Sequence, residues 1–212
     1  MSPVEDGFGF YGLLNEPAVG HERLARLMVE RGVAFIQLRM KDAPEAQLLA
    51  VAGRLREIVR PPSRLVVNDL PRVAAAVAAD GVHLGQEDAD IDAARAILGP
   101  GAIVGLSTHN QEQVLSACAR GADYIGIGPV FPTATKARPD PVLGLEGLRR
   151  LIGLASVPAV AIGGIDLDNA ARVLAAGARN ICAVGCINAS SDPAAALDRM
   201  LRIVEQARLD PA

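Results

Sequence analysis

Short apolar segments alternate with longer amphipathic segments eight times along the chain. The short segments are typical of buried strands, and the longer segments carry apolar residues at helical spacing. The predicted strands cover residues 9–14, 35–40, 65–68, 81–84, 103–106, 124–127, 159–162 and 181–184. The predicted helices cover residues 21–31, 44–60, 70–79, 91–98, 111–120, 145–154, 167–176 and 193–207. This alternation predicts an α/β fold with a parallel sheet.

Residues at the helix ends support these boundaries. Asp90, Asn110 and Asp192 stand where a side chain is expected to cap the first turn of a helix. Glycine, which readily ends a helix, follows several of the predicted helices, at Gly32, Gly99, Gly121 and Gly177.

Two architectures suit eight strand–helix units, a closed barrel and a doubly wound open sheet. An open sheet that binds a dinucleotide has a glycine-rich turn after its first strand. Here the first strand continues into Leu13-Leu14-Asn15-Glu16-Pro17, which has no such turn. The sequence therefore predicts a (β/α)8 TIM barrel, a single domain over residues 1–212 with a short C-terminal tail from about residue 208.

Composition narrows the class of partner. Half of the residues are apolar, mostly branched aliphatics, which suits a barrel interior. A net charge of −3 provides no basic field for nucleic acid, so small-molecule substrates are expected. We predict a cytoplasmic protein without a leader, a membrane span or disulfides, in which Cys182 and Cys186 are packing residues.

Polar side chains alternate with apolar ones at the end of the second strand. Gln37, Arg39 and Lys41 share one face, and Leu38 and Met40 share the other. We expect the polar face to point into the barrel mouth, where two cations are costly unless an anion such as phosphate or pyrophosphate meets them. The alternative is a solvated strand end without a ligand.

Carboxylates follow the next two strands. Asn68 and Asp69 end the third strand, and Asp88 follows the fourth. Mg²⁺ favours one or two carboxylates together with phosphate oxygens, so Asp69 and Asp88 are predicted metal ligands. The alternative is that either aspartate only caps a helix.

Further candidates lie after the later strands. Ser107 and His109 follow the fifth strand, and His109 could be a general base or a structural hydrogen-bonding residue. A long loop after the sixth strand carries Lys136, which could close on a leaving phosphate. Glycines after the seventh and eighth strands predict a phosphate cradle. Two anion sites and a metal favour a reaction that joins two phosphorylated substrates or releases pyrophosphate.

Several of these segments together resemble one family, the thiamine-phosphate synthases. The matching segments, which are in order and span most of the chain, are residues 37–41, 68–69, 80–88, 105–109, 128–136 and 161–165. The resemblance implies condensation of hydroxymethylpyrimidine diphosphate with a thiazole phosphate, giving thiamine phosphate and pyrophosphate by a Mg²⁺-assisted dissociative route. It also implies that His109 need not act as a base.

Residue roles carry over by motif. The resemblance implies Mg²⁺ at Asp69 and Asp88, and a catalytic set of Arg39, Lys41, Ser107 and Lys136. The pyrimidine diphosphate would bind Gln37, Leu38, Arg39, Met40, Lys41, Asn68, Ser107 and Lys136. The thiazole phosphate would bind Thr133, Ala134, Thr135, Gly164, Val184 and Gly185.

The chain departs from the family pattern at two places. Gly185 stands where the family usually has Ser, and Leu14-Asn15 replaces the usual Thr-Asp. Both departures are expected to affect the thiazole site and to leave the metal and diphosphate residues untouched.

Three alternatives remain at this point. A thiazole tautomerase of the same superfamily carries a His where this chain has Pro129. A non-catalytic barrel would have lost some of Arg39, Asp69, Asp88 or Lys136, and an unrelated isomerase would need a carboxylate pair without a metal.

An apolar helix face could also serve as the interface of a homo-oligomer.

Overall fold

Eight parallel strands form one sheet in which the strand order follows the chain order. The computed structural model describes residues 4–133 and 140–209. The strands are β1 Tyr11–Leu14, β2 Phe35–Leu38, β3 Arg64–Asn68, β4 Gly81–Leu84, β5 Ile103–Thr108, β6 Tyr124–Ile127, β7 Ala159–Ile162 and β8 Asn180–Cys182.

Helices follow the strands and surround the sheet. In the described residues they are α1 His21–Glu30, α2 Glu45–Ile58, α3 Pro71–Ala76, α4 Ile91–Leu98, α5 Gln111–Ala119, α6 Gly144–Ile152, α7 Ala170–Ala175, α8 Gly185–Asn188 and α9 Pro193–Leu209. None of the helices in these two described ranges is long and apolar enough to cross a membrane.

The sheet closes into a barrel between β1 and β8. A single parallel bridge joins Phe10 to Ile181, and the Ile181 amide donates to the Gly9 carbonyl at 2.8 Å. The side chain of Asn188, in α8, donates to the Leu13 carbonyl at 2.8 Å and accepts from the Asn15 amide at 2.8 Å. The closed (β/α)8 barrel is therefore confirmed, and its seam is completed by an amide side chain.

Strand residues divide between two hydrophobic cores because successive side chains point to opposite faces. Leu14, Ile36 and Leu38 belong to the large core between the sheet and the helices. Tyr11, Phe35 and their inward-facing counterparts form a smaller core inside the barrel, with Leu13, Val66, Ile103, Tyr124, Val160 and Cys182.

The observed boundaries confirm most of the predicted caps. Asp90 accepts from the Asp92 amide, Asn110 from the Gln113 amide and Asp192 from the Ala195 amide, at 2.7–3.0 Å. The four predicted terminal glycines all have positive φ, a conformation that glycine adopts without steric cost.

Several element boundaries differ from the prediction, and β8, for example, ends at Cys182 rather than at residue 184. Helices α3 and α7 are shorter than predicted, and the four-residue α8 was not predicted because one turn has no periodicity. Helix α9 extends to Leu209, so residues 208 and 209 belong to it rather than to a tail. The Arg208 guanidinium donates to the Gly7 carbonyl, which fixes the last turn.

Close packing of Tyr124 against β5 fills the barrel interior. A Cβ on Gly105 would lie 2.2 Å from a ring carbon of Tyr124, which is 1% exposed. Only glycine leaves room for this ring, and the ring in turn contacts Tyr11 and Phe35, with centroids 5.6 and 6.1 Å away. The position of Tyr124 therefore depends on the missing side chain of Gly105.

The Gly105→Ala variant should lower the free energy of unfolding by about 2–3 kcal/mol, since an added methyl group overpacks the interior. Urea unfolding at pH 7 measures this. The Gly53→Ala variant is the control, because a Cβ at Gly53 in α2 meets nothing within 4 Å. That variant should be neutral or slightly stabilising. Equal stability of the two variants would contradict the packing argument.

Candidate active site

A cavity of about 620 Å³ opens at the carboxyl ends of the strands, where barrel active sites lie. Most of the side chains and glycines predicted as site residues line it. They are Gln37, Arg39, Lys41, Asn68, Asp69, Asp88, Ser107, Thr133, Gly164, Val184 and Gly185.

The remaining predicted residues do not line the cavity or lie outside the described residues. Leu38 is fully buried in the core between sheet and helices, and Met40 packs against that core. Only the backbone at these two positions could reach a ligand. Ala134, Thr135 and Lys136 fall in the range 134–139, outside the described residues.

Two carboxylates lie together on one wall of the cavity. Asp69 follows β3 and interacts with Asp88, while the Lys41 ammonium lies 3.7 Å from an Asp69 carboxylate oxygen. Burial raises the pKa of Asp69 to about 6, and a hydrogen bond and repulsion from Asp88 add to the effect. Two carboxylates forced together in this way share a site that a cation would stabilise.

Local structure holds both carboxylates in place. Asp69 has φ +63°, a conformation that Asp tolerates better than most residues, and its amide donates to the His83 carbonyl at 2.8 Å. Asp88 accepts from the Gly85 amide at 2.6 Å. A Cβ on Gly85 would lie 2.7 Å from that oxygen, so glycine permits the close turn.

Arg39 is oriented by Asn15, at the loop that follows β1. The Arg39 guanidinium donates to the Asn15 side-chain oxygen at 2.5 Å, and the Asn15 amide donates to Asn188. The expectation that the Asn15 departure would leave the diphosphate residues untouched is therefore wrong. It failed because the contact depends on the register of β1 against β2, with Leu14 opposite Leu38, which residue spacing does not reveal.

The cavity floor carries polar residues that the sequence interpretation did not assign. Tyr11, His83 and Tyr124 line the cavity and connect Gln37 to Ser107 through hydrogen bonds of 2.7–3.0 Å. One signal could have found the two tyrosines. Both tyrosines of the chain begin strands at positions where alternation directs the side chain inward.

His109 has the geometry of a structural residue. Its Nδ1 donates to the Gly128 carbonyl at 2.6 Å, and its Nε2 lies 3.3 Å from a carboxylate oxygen of Asp140. The side chain is 13% exposed. His109 thus connects the end of β5 to the end of β6 and to Asp140, which favours the structural interpretation over a general base.

Glycines form the opposite wall. Gly163 and Gly164 have φ +95° and +65°, and a Cβ on Gly164 would lie 2.5 Å from the Pro132 carbonyl oxygen. The Val130 and Phe131 amides donate to the carbonyls of Ile162 and Gly163 at 3.0 Å. These two glycines are therefore required by backbone packing, whereas a Cβ on Gly185 would meet nothing within 4 Å.

Comparisons with known proteins identify the family of this chain. The family model described as thiamine monophosphate synthase matches residues 17–187. The chain belongs to the thiamine-phosphate synthase family. The resemblance stated from sequence motifs is confirmed, and the chain is an enzyme of the transferase class.

Individual members of the family match nearly the whole chain. A thiamine-phosphate synthase of Archaeoglobus fulgidus is 41% identical over 208 residues, covering 97% of this chain and 98% of the relative. One of Moorella thermoacetica is 40% identical over 186 residues, covering 87% and 89%. The structure of a thiamine phosphate pyrophosphorylase from Pyrococcus furiosus superposes with a TM-score of 0.85 at 36% identity, covering 95% and 98%.

The Asp69→Asn variant should be more stable than the parent at pH 7, by about 1 kcal/mol after allowance for solvent screening. The folded-state pKa is raised to about 6, so the folded state binds more protons between roughly pH 4 and 6. Stability from this group therefore falls as pH rises through that window, and the charged carboxylate is destabilising at pH 7.

Urea unfolding in the presence of a chelator at pH 7 and 4.5 measures the effect, which should shrink at the lower pH. Asn also tolerates the positive φ of this position. Asp42→Asn, at an exposed position of the same rim, is the control. A less stable Asp69→Asn protein at pH 7 would refute the carboxylate repulsion.

Proposed function

We propose that this enzyme condenses hydroxymethylpyrimidine diphosphate with a thiazole phosphate, forming thiamine phosphate and releasing pyrophosphate. The observation that carries the proposal is the division of one cavity into a cationic, carboxylate-bearing wall and a glycine wall. Arg39 and Lys41 suit a diphosphate, and backbone amides after β7 and β8 suit a second phosphate. Family membership supports the same reaction.

The carboxylate pair fits a magnesium ion. In the described residues no group of three or more His, Cys, Asp or Glu side chains could hold a metal. Asp69 and Asp88 alone match the preference of Mg²⁺ for one or two carboxylates with phosphate oxygens as the other ligands. When bound, the ion would neutralise charge on the departing diphosphate.

Charge balance favours the same ion. The positive charges of Arg39 and Lys41 are matched by the two carboxylates, so the wall is nearly neutral before a ligand binds. A diphosphate brings several negative charges, which Arg39 and Lys41 alone do not balance. Mg²⁺ would supply positive charge beside that of Lys136, which the motif assigns to the same ligand.

The proposed chemical step is dissociative. The bond between the pyrimidine methylene carbon and the diphosphate oxygen breaks, and both electrons leave with the pyrophosphate. Arg39, Lys41 and Ser107 stabilise the charge that develops on that leaving group. The thiazole nitrogen then supplies the electron pair for the new carbon–nitrogen bond. Lys136 belongs to the proposed catalytic set as well, from the sequence motif alone.

Location and assembly are proposals as well. We place the enzyme in the cytoplasm, in line with its three free cysteines. A homo-oligomer stays a prediction, since the exposed apolar side chains Ile97 and Leu115 are single residues on separate helices.

Pyrophosphate release by the purified protein tests the proposal. Release should require both substrates and Mg²⁺, and no single substrate should support it. Asp69→Ala and Asp88→Ala should each lower the rate roughly 100-fold or more while the protein stays folded. Absence of release with both substrates and the metal would instead favour a tautomerase or a non-catalytic barrel. Full activity of both variants would refute the metal ligands.

The Gly185→Ser variant should retain activity and lower the KM for thiazole phosphate, by up to about tenfold for one added hydrogen bond to a charged group. The open space around Gly185 accommodates the side chain. Gly164→Ser is the contrast, because its positive φ and the nearby Pro132 carbonyl exclude a side chain. A large loss of activity in Gly185→Ser would show that the open space itself is needed.

A further inference from the structure

A continuous chain of hydrogen bonds crosses the cavity floor from β2 to β5. The Gln37 amide nitrogen lies 3.0 Å from the Tyr11 hydroxyl, which lies 2.7 Å from the Tyr124 hydroxyl. The Tyr124 hydroxyl lies 3.0 Å from His83 Nδ1, and His83 Nε2 lies 2.9 Å from Ser107 Oγ. Five side chains from β1, β2, β4, β5 and β6 are thus linked.

The direction of this chain is fixed at its first member. An amide nitrogen only donates, so the Tyr11 oxygen accepts from Gln37. Within the described residues the other partner of the Tyr11 hydroxyl is Tyr124, so the Tyr11 proton goes there. The Tyr124 proton in turn goes to His83 Nδ1.

The same accounting continues to Ser107. Because His83 accepts at Nδ1, its ring is the neutral tautomer with the proton on Nε2, which donates to Ser107 Oγ. Ser107 already accepts from His83, so its own proton is directed away from the ring. Ser107 lines the cavity, and the cavity is where an acceptor would lie.

Burial keeps the two phenols protonated, as the chain requires. Both tyrosine hydroxyls are buried, and burial raises the pKa of Tyr11 and of Tyr124 well above the usual value. Each phenol therefore keeps its proton at neutral pH.

We propose that Tyr11, Tyr124 and His83 are positioning residues that turn the Ser107 hydroxyl proton toward the diphosphate. This inference rests on the proposed function, because it takes the diphosphate as the acceptor. With the chain reversed, Ser107 would donate to His83 and would present only lone pairs to the ligand. A diphosphate oxygen is itself an acceptor, so the reversed chain would weaken its binding and its departure.

The first test needs no substrate. Nitrogen-15 NMR of histidine-labelled protein distinguishes the two neutral tautomers, and the His83→Asn variant assigns the His83 signals among the three histidines. His83 should carry its proton on Nε2 in the parent protein. The Tyr124→Phe variant, which lacks the donor to Nδ1, should populate the other tautomer.

A matched control removes a different buried hydroxyl of the same strand. Thr108 follows Ser107, and its hydroxyl donates to the Gly126 carbonyl at 2.9 Å. This hydroxyl is not part of the chain of hydrogen bonds between Gln37 and Ser107. Thr108→Val should leave the His83 tautomer unchanged. A parent protein with the proton on Nδ1, or a tautomer unaltered in Tyr124→Phe, would overturn the inference.

The second test is a kinetic double-mutant cycle with pyrophosphate release as the readout. Tyr124→Phe should lower kcat roughly tenfold or more, with little change in the KM for thiazole phosphate. The double variant with Ser107→Ala should have the same kcat as Ser107→Ala alone, because both changes remove the same interaction between Ser107 and the diphosphate. Fully multiplicative effects would contradict the coupling. A parent protein that releases no pyrophosphate would refute the proposed function, while the tautomer could still be measured.

Discussion

The side-chain alternation of strands in a closed barrel is the constraint on which this structure depends. Each strand must offer one face to the helices and the other to a narrow interior. The interior has room for the Tyr124 ring only because Gly105 lies beside it. Moving from the barrel interior toward the carboxyl ends of the strands, the same inward face changes from apolar to polar, as Phe35 gives way to Gln37. The residues that pack the barrel interior and the residues that line the site are thus successive positions on the same face of a strand.

The cavity contains two neighbouring carboxylates that lower the stability of the fold. Asp69 and Asp88 repel each other, and Asp69 is largely buried, so this pair costs stability at neutral pH. Lys41 and Arg39 offset part of that cost without forming tight pairs that would close the site. Such local conflict is expected where binding is the purpose of the residues rather than packing.

The features that could be predicted from the sequence are those that depend on local periodicity or on single residue types. Gln37, Arg39 and Lys41 were placed in the cavity because strand alternation needs no tertiary information, and the terminal caps followed from single residue types. Tyr11, His83 and Tyr124 were missed because their linkage depends on register between strands, such as Asn68 opposite His83 and Ser107 opposite Gly126. Helix α8 was missed because one turn has no periodicity. The contact of Asn15 with Arg39 was missed because it depends on the register of β1 against β2.

Asn188 connects the barrel seam to the site. Its side-chain amide donates to the Leu13 carbonyl and accepts from the backbone amide of Asn15, and the Asn15 side chain in turn accepts from Arg39. The barrel seam and the Arg39 side chain are therefore connected through Asn15. By thermodynamic linkage, an anion that binds Arg39 only in the folded protein stabilises the closed barrel as a whole.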